Sequence, residues 1–205
     1  MNAPPERAYH NLVIGFTGFA ESGKDTAADY LAETHGFTRD AFANDLRGAA
    51  LTLDPWVIEH RSERHPGWPV RLSELIADLG WNRAKEENPE VRRILQVIGS
   101  EIGWQLHGKR CWVNRVADRY DLLAPGERLA ISDVRFPHEE DWLREIDGIL
   151  VRVDRPGHVN ATGDNAGHVS EAWIKKLTPD VVLVNDGTIA DLHAKLDQLM
   201  TDLPI

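Results

Sequence analysis

Gly18-Phe19-Ala20-Glu21-Ser22-Gly23-Lys24-Asp25-Thr26 is the stretch that decides the fold. It follows an apolar run, Leu12-Val13-Ile14-Gly15-Phe16, that reads as a buried strand. It opens into Ala27-Ala28-Asp29-Tyr30-Leu31-Ala32, which reads as the start of a helix. Strand, glycine-rich turn, Gly-Lys and helix make the setting of a phosphate-binding loop. Backbone N–H groups at such a helix N-terminus converge on an anion. Gly18 and Gly23 supply backbone angles closed to other residues, and Ala20 and Ser22 contribute loop amides between them. Lys24 is placed to lean over the loop toward the β- and γ-phosphates. The position after the lysine, usually a Ser or Thr that holds Mg²⁺, is Asp25, and Thr26 follows it. A carboxylate there suits the positive helix N-terminus; either Asp25 takes the metal, directly or through water, or it only caps the helix while Thr26 makes the phosphate contact.

Working outward, the 205 residues suffice for one α/β domain with a sizeable core. A formal net charge of −10 argues against binding long nucleic acid, which wants a basic face. Small phosphorylated substrates remain open, because a local cluster of arginines suffices for them. Cys111 is the single cysteine, so no internal disulfide forms and a reducing compartment fits. No apolar run approaches the length of a membrane span, and Met1 to Arg7 lack the apolar core of a signal peptide. These features set the expectation of a cytoplasmic protein that makes no use of a membrane. Seven tryptophans leave room for a homodimer interface.

The helix after the loop is expected to end near Gly36. Phe42 to Ala50 is apolar-periodic and carries Arg47, placed either to meet a second substrate's phosphate or as a solvated helix charge. Residues 54–71 read as a long loop or small insertion, with His60 and His65 as surface histidines rather than metal ligands. A short helix is predicted from Ser73, as cap, to Leu79, with Gly80 as its stop. From Pro89 a long helix is predicted, with Val91, Ile94, Leu95, Ile98, Ile102 and Leu106 as its core stripe. Arg92, Gln96, Gly99 and Gly103 fall on another flank, where either a neighbouring helix or a nucleotide base packs close.

Arg128 to Asp133 reads as a strand that ends in an acid. In phosphate-loop proteins an acid in that position holds Mg²⁺. Val134 follows, rather than the second acid that water-activating enzymes often carry, which favours transfer to an organic acceptor over hydrolysis. Arg135 comes next, either as a stabiliser of charge on a transferring phosphoryl group or as the partner of Asp133 or Glu139 in an ion pair. A helix from about His138 to Ile146 leads to a strand at Gly148 to Val153. Residues 155–172 have the composition of a lid loop and include Arg155. Asp180 to Val184 is the last strand, exiting through Asn185-Asp186-Gly187-Thr188 into a final amphipathic helix from Ile189 to Met200. Strands alternating with helices predict a doubly wound, mainly parallel sheet with helices on both faces.

Several of these segments together resemble the phage-type deoxynucleoside monophosphate kinases. They are Ser22-Gly23-Lys24-Asp25-Thr26, Phe42-Ala43 with Arg47, Arg93 to Gly99, Ile131-Ser132-Asp133-Val134-Arg135-Phe136-Pro137, His168 with Ser170-Glu171, and Asn185-Asp186-Gly187-Thr188. The Asp25 variant of the loop is itself shared with that family, and Asp-Val-Arg-Phe-Pro is the most specific match. The resemblance implies an adenylate-kinase-like domain spanning 1–205, with a helical substrate-binding region over about 40–110. It implies transfer of the γ-phosphoryl group of ATP, with Mg²⁺, to a deoxynucleoside 5′-monophosphate, in the host's cytoplasm if the gene is a phage's. On this reading Gly18, Ala20, Ser22, Gly23, Lys24, Asp25, Thr26 and Asn185 bind ATP, and Asp133 with Asp25 or Thr26 places the metal. Arg47 and Arg92 or Arg93 hold the acceptor phosphate, and Gln96 and Trp104 read the base. Lys24, Asp133, Arg135 and Arg155 serve the transfer itself. Residues 54–71 have no counterpart in the resemblance. The alternatives are another small-molecule kinase, of the dephospho-coenzyme A or phosphomevalonate type, and a non-enzymatic nucleotide binder; a guanine-type switch would need an Asn-Lys-x-Asp signature, which is not in the sequence.

Overall fold

In a computed structural model that describes residues 11–57, 68–157 and 169–203, five parallel strands form a sheet in the order β2-β5-β1-β6-β7. They are β1 (Leu12–Thr17), β2 (Phe37–Asp40), β5 (Arg128–Ile131), β6 (Ile149–Asp154) and β7 (Val181–Val184). The phosphate-loop strand β1 is central, with Gly15 opposite Ile131 of β5 and Leu150 of β6. Because all five run the same way, their C-terminal ends share one edge, the place where open α/β sheets bind ligands. Gly18, Asp133, Arg155 and Asn185 all follow strand ends on that edge.

Alternation along each strand gives the sheet two buried faces. One carries Ile14, Phe16, Ala130, Val151, Val153 and Leu183, against Ala27, Ala28 and Leu31 of α1 (Lys24–His35) and Leu192, Leu196 and Leu199 of α9 (Ile189–Asp202). The other carries Val13, Leu129, Ile131 and Leu150, with Leu143 of α7 (Pro137–Glu145) seated on β1. That seat requires Gly15, since a Cβ there would stand 2.8 Å from both the Leu143 and the Val134 side chains. The doubly wound, mainly parallel expectation is met.

The chain divides into two compact units. Residues up to Phe42 and from Val116 onward form the sheet unit, and Ala43–Arg115 form a second, mostly helical one. The helical unit holds α2 (Ala43–Leu53), α3 (Leu72–Glu87), α4 (Pro89–Gln96), a π-helical segment (Val97–Trp104), α5 (Gln105–His107) and the first half of α6 (Cys111–Tyr120). Its own core is built from Ala50, Leu72, Leu75, Ala84, Val91, Ile94 and Ile98, closed by Val57 and Val70. Val57 and Val70 face each other across a short antiparallel pair, β3 (Trp56–Val57) and β4 (Val70–Arg71). Residues 54–71 are therefore not wholly a loop at their ends, while His60 and His65 lie outside the described residues.

Two local expectations are corrected, the Ser73 cap and the far end of the apolar stripe. The helix predicted to stop at Gly80 does break there, at φ 69° and ψ 166°, and a second helical stretch follows to Glu87; the first is entered from Arg71 rather than capped by Ser73. The long helix from Pro89 changes pitch at Val97. The wider turns of a π segment rotate the apolar stripe, so that Ile102 and Leu106 are 42% and 72% exposed rather than core. The flank with Gly99 and Gly103 meets a side chain of the next helix: Trp112 Nε1 donates to the Gly99 carbonyl at 3.0 Å. A Cβ on Gly103 would stand 2.8 Å from the same nitrogen. Strand β2 had no counterpart in the sequence reading.

Candidate active site

The loop between β1 and α1 is held open by its glycines. Gly18 has φ 149° and lies so close to the Val153 carbonyl and the Ser22 hydroxyl that a Cβ would collide with both, at 2.5 and 2.6 Å. Gly23, at φ 101°, is the N-cap of α1, and no side chain caps that helix. The first-turn N–H groups are therefore not taken by a side-chain cap, which is what an anion site at a helix N-terminus needs. Asp25 is no cap either: its Oδ1 accepts from Arg39 Nη2 at 2.9 Å. Ala20 lies exposed in the loop and Thr26 is half-buried in the first turn of α1.

Lys24 is 5% exposed, and its Nζ donates to the Phe19 carbonyl at 3.3 Å. Burial, and then the Arg135 guanidinium, hold its pKa below the ordinary lysine value, while Asp25 and Asp133 push the other way. The one ammonium thus feels Asp25, Asp133 and Arg135 together, which brings four of the residues named from the sequence into one locality. Asp133 is buried at the end of β5, and its Oδ1 accepts from the Phe42 amide at 2.8 Å. Arg135 is half-buried and is no partner in a contact ion pair among the described residues. Glu139 accepts instead from its backbone amide, at 2.6 Å, and from the Phe136 amide at 3.0 Å. Arg155 is exposed just past the end of β6, and the lid segment that would follow it, residues 158–168, lies outside the described residues. Asn185 is behind the loop: its buried amide donates to the Ser22 carbonyl at 2.9 Å. It braces the loop's shape from the end of β7.

The remaining named residues lie in the helical unit. Arg47 on α2 has its guanidinium over the Trp81 ring, 5.8 Å from the centroid. Arg92 on α4 is half-buried, with Nε donating to the Lys85 carbonyl at 2.6 Å. Arg93 is exposed and gripped through two nitrogens by Glu90 on its own helix, at 2.7 and 2.6 Å. Gln96 is exposed at the end of α4, and Trp104 is half-buried at the end of the π segment.

The sequence profile of a family described as deoxynucleotide monophosphate kinase matches residues 70–196. The chain belongs to the deoxynucleotide monophosphate kinase family. A homologue from Acanthamoeba polyphaga mimivirus is 28% identical to it, over 90% of this chain and 94% of the other. The deoxynucleoside-5′-monophosphate kinase of Escherichia phage T5 is 35% identical over 47% of this chain and 40% of its own length. The deoxynucleotide monophosphate kinase of Enterobacteria phage T4 is 29% identical over 54% of this chain and 45% of its own. The aligned stretch thus spans less than half the length of these two phage enzymes. Among solved structures, dephospho-CoA kinase from Campylobacter jejuni superimposes with a TM-score of 0.50 at 12% identity, covering 94% of this chain and 97% of that one. At that identity the likeness is one of fold.

In this member of the deoxynucleotide monophosphate kinase family, sequence reasoning passed over Arg39, Asp40 and Arg119, and took Glu139 only as a partner for Arg135. Asp40 ends β2 and is gripped by Arg119, at 2.7 Å from Nε and 3.1 Å from Nη2. Its carbonyl accepts from the Ser132 amide at 3.1 Å. With the bond from the Phe42 amide to Asp133, this ties the end of β2 to the end of β5 and so orients Asp133. No helix among the described residues is long and apolar enough to cross a membrane.

Burial, with the Asp133 charge second, raises the Glu139 pKa from 4.5 to about 8, against the two amide hydrogen bonds and Arg135. Between those values the unfolded chain has released this proton and the folded chain keeps it. The group's contribution to stability is complete below pH 4.5 and is lost as pH rises through about 8. Glu139→Gln keeps a carbonyl acceptor and cannot ionise. The melting temperature of the variant relative to the unaltered protein is expected to climb as pH rises through this window. A difference independent of pH would contradict the assignment.

Proposed function

We propose that this protein transfers the γ-phosphoryl group of ATP to a deoxynucleoside 5′-monophosphate, giving the diphosphate and ADP. The observation that carries the reading is the convergence of Asp25, Asp133 and Arg135 on the buried Lys24 at the strand ends of β1 and β5, in a chain of this family. The amides from Gly18 to Thr26 and Lys24 hold the β- and γ-phosphates. Asp25, Thr26 and Asp133 offer the hard oxygen donors that suit Mg²⁺, which typically takes one or two carboxylates together with phosphates and water. When bound, the metal supplies screening of charge on the phosphates. Asn185 supports the loop through Ser22.

Arg135, with Arg155 at the end of β6, stabilises charge on the phosphoryl group as it moves. Arg47 and Arg92 hold the acceptor phosphate, and Gln96 and Trp104 meet the base. Arg93, chelated by Glu90, is the weaker candidate of the adjacent pair. No general base is needed, because an acceptor phosphate is already ionised near neutral pH. Val134 in place of a second acid leaves no carboxylate there to activate water.

ADP release, measured across deoxy- and ribonucleoside monophosphates with dephospho-coenzyme A and phosphomevalonate alongside, tests the proposal. ADP formation is expected only with nucleoside monophosphates, the deoxy forms leading. Turnover with dephospho-coenzyme A or phosphomevalonate alone, or ATP binding with no ADP from any acceptor, would overturn it.

A further inference from the structure

We propose that Arg39 is a positioning residue of the nucleotide site, the counter-ion that lets a carboxylate stand directly after the loop lysine. The inference rests on the phosphoryl-transfer reading above. Arg39 lies on β2, at the edge of the sheet. Its Nη2 donates to Asp25 Oδ1 at 2.9 Å and lies 3.5 Å from the Ser132 hydroxyl. Its Nη1 lies 2.9 Å from Asp29 Oδ1. One guanidinium therefore joins two successive turns of α1 to the end of β5, one residue before Asp133. The planar fork of arginine spans these partners; a lysine ammonium, a single point charge, does not.

A purely architectural role explains this poorly. The side chains of Asp25 and Arg39 are 56% and 38% exposed, and ion pairs that exposed add little to stability. The position of Asp25 gives the better reason. A hydroxyl ordinarily follows the loop lysine. A carboxylate there sets a full negative charge against an incoming polyphosphate, and the repulsion is felt at such short range. Lys24 offsets it only in part: its Nζ is 3.9 Å from Asp25 Oδ2 and gives its hydrogen bond to the Phe19 carbonyl at 3.3 Å. The nearer cation is Arg39. By holding Oδ1 it also fixes which way the carboxylate points.

The test is calorimetric titration of ATP into the full-length protein without acceptor and with EDTA present, so that neither catalysis nor metal enters the readout. Arg39→Ala is expected to weaken ATP binding about tenfold. Arg39→Lys, which keeps the charge and loses the fork, should fall between the two. In an Asp25→Ser background, Arg39→Ala should change the affinity less than about twofold, because a neutral hydroxyl needs no counter-ion. An equal loss in both backgrounds would mean that Arg39 acts through Asp29 and Ser132 as scaffold, and would overturn the proposal. So would unaltered affinity in Arg39→Ala. Failure of the folded, unaltered protein to bind ATP at all would overturn the phosphate-loop reading itself, and this inference with it.

Discussion

Replacing Lys24 with alanine is expected to lower kcat by about 10²–10³-fold, the usual cost of removing one preorganised charge-stabilising donor. The side chain is 5% exposed and sits among Asp25, Asp133 and Arg135. A chain that keeps an ammonium where burial disfavours its charge has that charge for use rather than for stability. The fold should therefore survive: the variant loses one hydrogen bond, to the Phe19 carbonyl, and sheds the cost of burying a cation. Steady-state kinetics, with circular dichroism as the control for folding, check both halves. Near-normal turnover in a folded Lys24→Ala protein would remove the loop from the chemistry.

Arg135→Ala should reduce kcat by about 10³-fold, the low end of what a transition-state arginine contributes in phosphoryl transfer. The KM for ATP should move far less, because the interaction is made chiefly while charge redistributes. Among the described residues the Arg135 guanidinium has no carboxylate in contact, and Glu139 is occupied with the backbone amides of Arg135 and Phe136. Arg135→Lys should recover part of the rate, since a point charge still screens but does not grip in two places. A rise in KM with unchanged kcat would make Arg135 a binding residue and contradict its assigned role.

The sheet edge that carries the site was legible where chemistry is written in consecutive residues. The stretch from Gly18 to Thr26 announces a strand, a turn and a helix at once, and Ser132-Asp133-Val134-Arg135 marks the end of β5 by its switch from apolar to charged. Arg39 was not legible. Phe37-Thr38-Arg39-Asp40 is only four residues long, and its meaning depends on pairing with β5, far away in the chain. No local signal says that an arginine there reaches Asp25. Asn185 was seen as part of the site, but its bond to the Ser22 carbonyl was not, because the close approach of its amide to the loop exists only once β7 and the loop are side by side.

The helical unit was harder to read because it breaks the periodicity on which such reading depends. Ile102 and Leu106 continue the α-helical stripe of Val91 and Ile94 on paper. The π turns begun at Val97 carry them out to solvent. Trp112 sits at that break: its indole packs on the bare backbone of Gly103 and takes the Gly99 carbonyl, which a regular helix would use internally. Gly80 was legible as a break, which its positive φ makes; the second helical stretch that follows it to Glu87 was not.

The most direct test of the central claim follows the phosphorus atom itself. ATP labelled with ³²P at the γ-position is incubated with the protein, Mg²⁺ and a deoxynucleoside 5′-monophosphate, and the products are separated by chromatography. The account predicts label in the β-phosphate of the deoxynucleoside diphosphate and almost none as free phosphate. Label released only as inorganic phosphate, or left entirely in ATP, would contradict it.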